Sequence, residues 1–164
     1  MEWEQRIKNL GQLMSTLPQT GRVEWLGLRP GRRESMLIVD QVNATHESGL
    51  AGDRYSGRSG ARHATLIQSE HLPAIASFTA RSTVKPELLR RNIVVSGINL
   101  LALKGKTFCV GEVEMEFTGL CQPCSRMEEL LGEGGYNAVR GHGGITARVI
   151  AGGAIALGDP VRVR

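Results

Sequence analysis

Two thiols stand three positions apart in TGLCQPCSRM, Cys121 and Cys124, and the chain holds one further cysteine, Cys109. That spacing serves three chemistries: structural zinc, a redox dithiol, or a single reactive thiolate. Structural zinc wants four ligands, commonly supplied as two pairs. There is no second C-x-x-C, and His46, His63, His71 and His142 form no H-x-x-x-H-like pair. Zinc would need His63 or His142 recruited across the fold. A thioredoxin-like dithiol wants a helix start beside a βαβ unit, and only the helix start is foreseen here. The third option is Cys124 alone. It precedes a predicted helix cap at Ser125 and adjoins Arg126, and positive charge at both places favours the ionised sulfur. A soft thiolate is also a fitting single ligand for a soft metal delivered inside an organic cofactor. Cys109, between Phe108 and Val110 in an alternating run, reads as a small buried hydrophobe.

Three other stretches carry groups suited to an anion. GLAGDRYSGRSGAR, residues 49–62, gathers Asp53, Arg54, Arg58 and Arg62, with His63 following, on backbone that glycine leaves bare. Exposed N–H groups and guanidinium forks both donate to phosphate oxygens. The stretch is not a P-loop, and no G-x-G-x-x-G opens a helix after a strand; a solvated basic turn is the plain alternative. Arg90-Arg91-Asn92 precedes a predicted strand, whose alternation would project Arg90 and Asn92 from one face. One charged fork and one amide on a single face would grip a phosphate and the edge of a heterocycle, unless they serve surface ion pairs. GGYNAVRGHGG flanks Arg140 and His142 with glycine just after the cysteines, as a second wall to the same pocket would. Glu128-Glu129 and Glu112, Glu114 and Glu116 read as exposed faces, with no paired-carboxylate site.

The elements that must position these groups follow from the pattern. Trp3, Ile7, Leu10, Met14 and Leu17 recur near the helical period, which predicts an amphipathic helix stopped by Pro18. RVEWLGLRP predicts a strand and a Gly-Arg turn, MLIVDQVNAT a second strand, and HATLIQSE a third. HLPAIASFTA predicts a short helix with Pro73 in its first turn. PELLRRNIVVSG predicts a helical turn and then a strand over 92–95. TFCVGEVEMEFTG alternates as a hairpin turning at Gly111-Glu112. Residues 121–131 begin a helix, with Ser125 and Glu128 as its capping box. GITARVIAGG and DPVRVR supply the last strands. The pattern predicts a mainly β chain with a few helices, α+β in class: a mostly antiparallel, closed or partly open β-barrel. It predicts one domain over 1–164, with the helix over 1–18 and the barrel over 21–163.

Composition narrows the partners. The chain has 164 residues, 41% hydrophobic and 22% charged, as an ordinary globular domain does. Its 21 glycines follow no collagen period, which points to tight turns or to backbone meeting a ligand. A net charge of +4 suits an anionic partner or simple solubility. Aromatics at 4%, with no stacking platform, argue against nucleic acid as that partner. Three cysteines make no disulfide scaffold, and MEWEQRIKNLGQLM lacks the apolar core of a signal peptide. The apolar stretch 93–103 is interrupted and too short to span a bilayer. A cytoplasmic protein with no membrane partner is expected. It would be a monomer or a homodimer, according to whether the first helix packs on its own barrel or a neighbour's.

GLAGDRYSG, RRNIVVSGINLLAL with KGKTFCVGEVEMEFTG, LCQPCSRM and GGAIALGDPV, in that order, resemble the MOSC domain. The family takes its name from the C-terminal domain of molybdenum cofactor sulfurases and includes small stand-alone bacterial proteins. The resemblance spans about residues 21–163. It implies a mostly antiparallel barrel and a cysteine, matched by Cys124, that carries sulfur or ligates the molybdenum of a pterin-bound cofactor. It also implies that Asp53 and Arg54 match a G-D-R loop, and that Arg90 and Asn92 match an R-x-N element of the cofactor pocket. Arg58, Arg62, His63, Arg126, Arg140 and His142 complete the basic lining expected around that anionic pterin. Pyridoxal phosphate belongs to a separate sulfurase domain in fusion members, so no site for it is expected. The activity implied is sulfur carriage, or molybdenum-dependent reduction of N-hydroxylated compounds with electrons or sulfur from an external redox or sulfurase partner. A non-catalytic zinc- or phosphate-ligand-binding barrel is the alternative.

Overall fold

Eleven strands are described, and seven of them close a barrel around a sealed interior, inward residues alternating with more exposed ones on the strands Thr107–Val110 and Pro160–Val163. A computed structural model describes residues 9–55 and 57–164. In chain order the elements are α1 (Leu10–Ser15), β1 (Gly21–Leu28), β2 (Leu37–Val39), β3 (Gln41–Thr45), β4 (Gly49–Leu50) and β5 (Ala64–Gln68). Then come α2 (His71–Phe78), α3 (Pro86–Leu89), β6 (Ile93–Ser96), a 3-10 turn (Leu100–Leu103), β7 (Thr107–Val110) and β8 (Val113–Leu120). The chain ends with α4 (Ser125–Leu131), α5 (Gly135–Val139), β9 (Ile145–Ala151), β10 (Gly153–Ala156) and β11 (Pro160–Val163).

The barrel runs β1-β11-β7-β8-β9-β5-β6 and returns to β1. Every pair is antiparallel except β5–β6, where Leu66 faces Ile93 in parallel register. That parallel pair needs a crossover, and α2 and α3 supply it. All five residues of β5 are buried, since one face looks into the barrel and the other lies under helices. Leu66 joins the interior with Phe108, Met115 and Val161. Ile67 turns outward to Ile75 of α2, Leu89 of α3, Met127 of α4 and Val139 of α5. Each such side chain contributes about 1.5–3 kcal/mol by leaving water, so the helices are held against the β5–β6 face. β3, β4 and β10 form a small second sheet, and its Val42, Ala44, Leu50 and Ile155 join the interior core.

The hairpin turns at Gly111-Glu112 as its alternation predicts. Gly111 sits at φ +57, which favours a residue without Cβ. Several local expectations are corrected. MLIVDQVNAT is two strands, because exposed Asp40 breaks the run and leaves Leu37 and Ile38 exposed on β2. Of the first predicted helix, residues 1–8 lie outside the described residues. The remainder, α1, buries none of its side chains, although Leu17 beyond it packs on the barrel. The N-cap of α4 is Cys124, not Ser125. Glu128 accepts instead from the backbone N–H groups of Gly134 and Tyr136, which lower its pKa. Among the described residues no helix is long and apolar enough to cross a membrane.

Candidate functional site

Residues 121–124 link β8 to α4, whose Met127 packs with Ile67 on the outer face of β5. Cys121 is buried there and Cys124 exposed. Cys124 opens on a cavity of 460 Å³. Eight arginines line it: Arg29, Arg32 and Arg33 after β1, Arg54 and Arg62 from the glycine loop, Arg90 and Arg91 after α3, and Arg126 from α4.

Carboxylates offset only part of that charge. Glu129 spans Arg33 (3.0 and 3.1 Å) and Arg126 (2.7 Å), and these guanidinium hydrogen bonds hold its carboxyl below the usual range. Asp53 stands behind the wall with a side chain only 1% exposed. Its Oδ1 accepts from the Arg29 backbone N–H (2.9 Å), Arg29 Nε (3.2 Å) and Asn92 Nδ2 (3.0 Å), and its Oδ2 from the Arg29 terminal nitrogen (2.9 Å). Burial pushes the Asp53 pKa up, but the Arg29 bonds and charge, with the Asn92 bond, bring it below its ordinary value.

Asn92 is fully buried and spends its whole amide on the scaffold. Its Oδ1 accepts from the Thr65 N–H and hydroxyl (both 3.1 Å), and its Nδ2 donates to Gly27 O (3.1 Å) as well as to Asp53. It therefore ties β5, β1 and the G-D-R loop into one frame. Arg90 is not on the strand. It closes α3 in the left-handed region, φ 55, so it and Asn92 do not project from one strand face. Its guanidinium braces the Arg-rich turn through Glu34 O (2.6 Å) and Gly31 O (3.4 Å). Burial, then the charges of Arg126, Arg29 and Arg54, lower its pKa.

Sequence reasoning passed over Arg91, a buried arginine in this wall. It is 6% exposed and donates to Gly143 O (2.8 Å), Leu89 O (2.9 Å), Cys121 O (3.3 Å) and Gln122 O (3.5 Å). Among the described residues no carboxylate pairs with it. Burial lowers its pKa, opposed by the two nearby sulfurs of Cys121 and Cys124. Arg62 reaches the Cys121 sulfur at 3.8 Å.

Of the residues singled out by sequence, Cys124, Arg54, Arg62, Arg90 and Arg126 meet at this cavity, with Asp53 and Asn92 framing it. Four others stand elsewhere. Arg58 is exposed off the lining. His63 is buried, and its Nδ1 accepts from the Val149 N–H (3.1 Å); burial, then Arg148 and His46, hold it below the ordinary imidazole value. Arg140 is exposed and reaches Asn137 (3.3 Å), while His142 packs against His71 and Phe78, with centroids at 5.1 and 5.5 Å. Arg29, Arg32 and Arg33 were missed, although three arginines around one Pro-Gly turn in RPGRR were a visible signal. Among the described residues no group of three or more His, Cys, Asp or Glu is placed to hold a metal.

The family model described as MOSC domain matches residues 37–162. No curated protein matches the sequence. Among solved structures, the YuaD protein from Bacillus subtilis superposes with a TM-score of 0.75 at 20% identity, over 90% of this chain and 98% of that one. YiiM from Escherichia coli gives 0.69 at 21% identity, over 90% and 70%. YiiM from Geobacillus stearothermophilus gives 0.70 at 16%, over 88% and 75%. Identities this low establish a shared fold.

Proposed function

Because this chain belongs to the MOSC domain family, we propose that its arginine cavity binds a pterin-bound molybdenum cofactor, with Cys124 as the sulfur ligand. The observation that carries this reading is an exposed thiol on the wall of a cavity where, among the described residues, eight arginines outnumber one lining carboxylate. The donor set fits such a group. Arg32, Arg54, Arg62 and Arg90 make no ion pair with a carboxylate among the described residues, and they would hold the phosphate by charge-assisted hydrogen bonds. Arg91 has committed its N–H groups to carbonyls, so it contributes fixed charge beside the sulfur. When bound, the cofactor would supply a redox-active metal for sulfur transfer or for two-electron reduction. The protein's part is to ligate, to neutralise negative charge and to keep the cavity's shape.

The activity is then sulfur carriage, or reduction of an N-hydroxylated compound, with sulfur or electrons supplied by a partner protein. The zinc reading draws no support from the site, because Cys121 is buried against Arg62 and no third ligand joins it among the described residues. Elemental analysis after expression in a host that makes the cofactor tests the proposal. Near-stoichiometric molybdenum is expected in the wild type and in Cys109→Ser, with loss in Cys124→Ser. Zinc in place of molybdenum, or molybdenum retained in Cys124→Ser, would overturn it.

A further inference from the structure

His63 stands just before β5, where β9 runs on past the end ladder pair, Ala64 with Ala147. The Val149 N–H therefore meets no β5 carbonyl and donates instead to His63 Nδ1 (3.1 Å). Accepting that bond leaves Nδ1 without a proton, so the neutral ring carries its one proton on Nε2. The residue is only 4% exposed. Tyr55 meets its ring edge-on at 5.7 Å, and Gly49 and Gly60 lie so close that a Cβ at either would collide with it.

The imidazole also supports a turn that ends at the arginine cavity. The His63 backbone N–H donates to Gly60 O (3.0 Å), Arg148 Nε to Ser59 O (2.8 Å) and the Thr118 hydroxyl to Ala61 O. Arg62, next along, lines the cavity and reaches the Cys121 sulfur at 3.8 Å. Residues 59–62 are thus pinned to the barrel wall by Arg148, Thr118 and the imidazole beneath Gly60. Of these three side chains, only the imidazole titrates near neutrality.

Protonation breaks this seat. An imidazolium carries N–H at both nitrogens, so Nδ1–H would face the Val149 N–H, two buried donors with no acceptor between them. The surrounding charges give no relief. Burial first, then Arg148 of β9 and His46 in the turn before β4, hold the His63 pKa below its ordinary value. The nearby carboxylates are engaged, Glu116 of β8 with Arg148 and Glu47 with His46 (3.9 Å).

We propose that His63 is a proton-sensitive peg: acid ejects the imidazole, residues 59–62 leave the barrel wall, and Arg62 withdraws from the cavity, loosening its hold on an anion. The closed turn is favoured above about pH 6.5 and is lost as pH falls through the lowered closed-state value. This depends on the cavity's arginines and not on which anion they hold, so it stands or falls apart from the cofactor assignment. Charge alone gives the opposite sign, since a new imidazolium strengthens the field on an anion.

NMR titration of the cofactor-free, 15N-labelled protein with sulfate, doubly charged from about pH 7.5 to about pH 5, tests this. Wild-type affinity, read at the Arg54, Arg62 and Arg126 amides, is expected to fall about tenfold over that range. In His63→Gln, whose amide oxygen accepts from Val149 at either pH, it should change by less than about twofold. His63→Phe offers no acceptor and should bind sulfate weakly at both values. Hydrogen exchange follows the peg itself: protection of the wild-type Val149 amide should drop about tenfold at the lower pH while that of the β6 amides holds. Sulfate binding that is absent at the higher pH, or that strengthens or stays level in acid, would overturn the proposal. So would an equal acid loss in His63→Gln, or protection lost from β6 as well as Val149.

Discussion

Replacing Asp53 with alanine removes the carboxylate that anchors Arg29 and meets the Asn92 amide behind the cavity wall. Four donors within 3.2 Å lose their acceptor. Breaking a buried ion pair from one side costs about 3–5 kcal/mol. Arg29 keeps 15% side-chain exposure and recovers some hydration, which places the expectation near the lower end, about 3 kcal/mol. With a urea m-value of roughly 2 kcal/mol/M, the midpoint should fall by about 1.5 M. Removing both charges in Asp53→Ala/Arg29→Met should recover at least half of the loss, because no guanidinium is then left stranded. Urea unfolding followed by circular dichroism and by fluorescence provides the assay, with coincident transitions as the check on two-state behaviour. A loss under about 1 kcal/mol, or a double variant as unstable as the sum of the singles, would refute the assignment of Asp53 as the frame's electrostatic anchor.

Asn92→Leu should cost about 3 kcal/mol in the same assay, since it strands the Thr65 N–H, Gly27 O and one Asp53 lone pair in the interior. Acid should destabilise the fold through Asp53: its folded pKa lies below the unfolded value of about 3.9, so its contribution is whole above that value and is lost as pH falls through the folded pKa. Asp53→Asn should flatten that limb in unfolding measured against pH. His63 acts at milder acidity in the same direction. Its lowered pKa makes its contribution whole above about 6.5 and lost as pH falls further, and His63→Gln should remove that slope. Iodoacetate, being anionic, should alkylate Cys124 several-fold faster than iodoacetamide relative to free cysteine at low salt. The advantage should shrink as the screening length falls below about 10 Å and in Arg62→Gln, as read by mass mapping.

The barrel was legible because its strands alternate. Phe108, Val110, Val113 and Met115 point inward by period, and Gly111 marks the turn between them. Pro73 placed α2 correctly for the same local reason, as its ring suits a first turn. Backbone exceptions were not legible. Arg90 adopts a left-handed conformation that no two-residue period foresees, which is why the buried neighbour of Asn92 is Arg91. GAIA forms β10 because it pairs with β3 far away in sequence, and GYNAV forms α5 because its valine packs on α2 and α4, and neither partner shows in a local window. Ser125 and Glu128 have the spacing of a capping box, yet the loop after α4 folds back and claims the Glu128 carboxylate first. Cys124 and four of the cavity's arginines were readable one residue at a time. Their convergence with Arg29, Arg32 and Arg33 was not, since four separate segments of the chain bring them together.

The proposed function places a metal-bearing, phosphorylated cofactor between the Cys124 sulfur and this arginine wall. Anomalous diffraction at the molybdenum edge, from crystals of protein purified with its cofactor, tests that most directly. A molybdenum peak bonded to Cys124 Sγ, with phosphate among Arg54, Arg62 and Arg90, is the predicted result. A peak elsewhere on the molecule, or a cavity filled by a metal-free phosphorylated ligand, would contradict it.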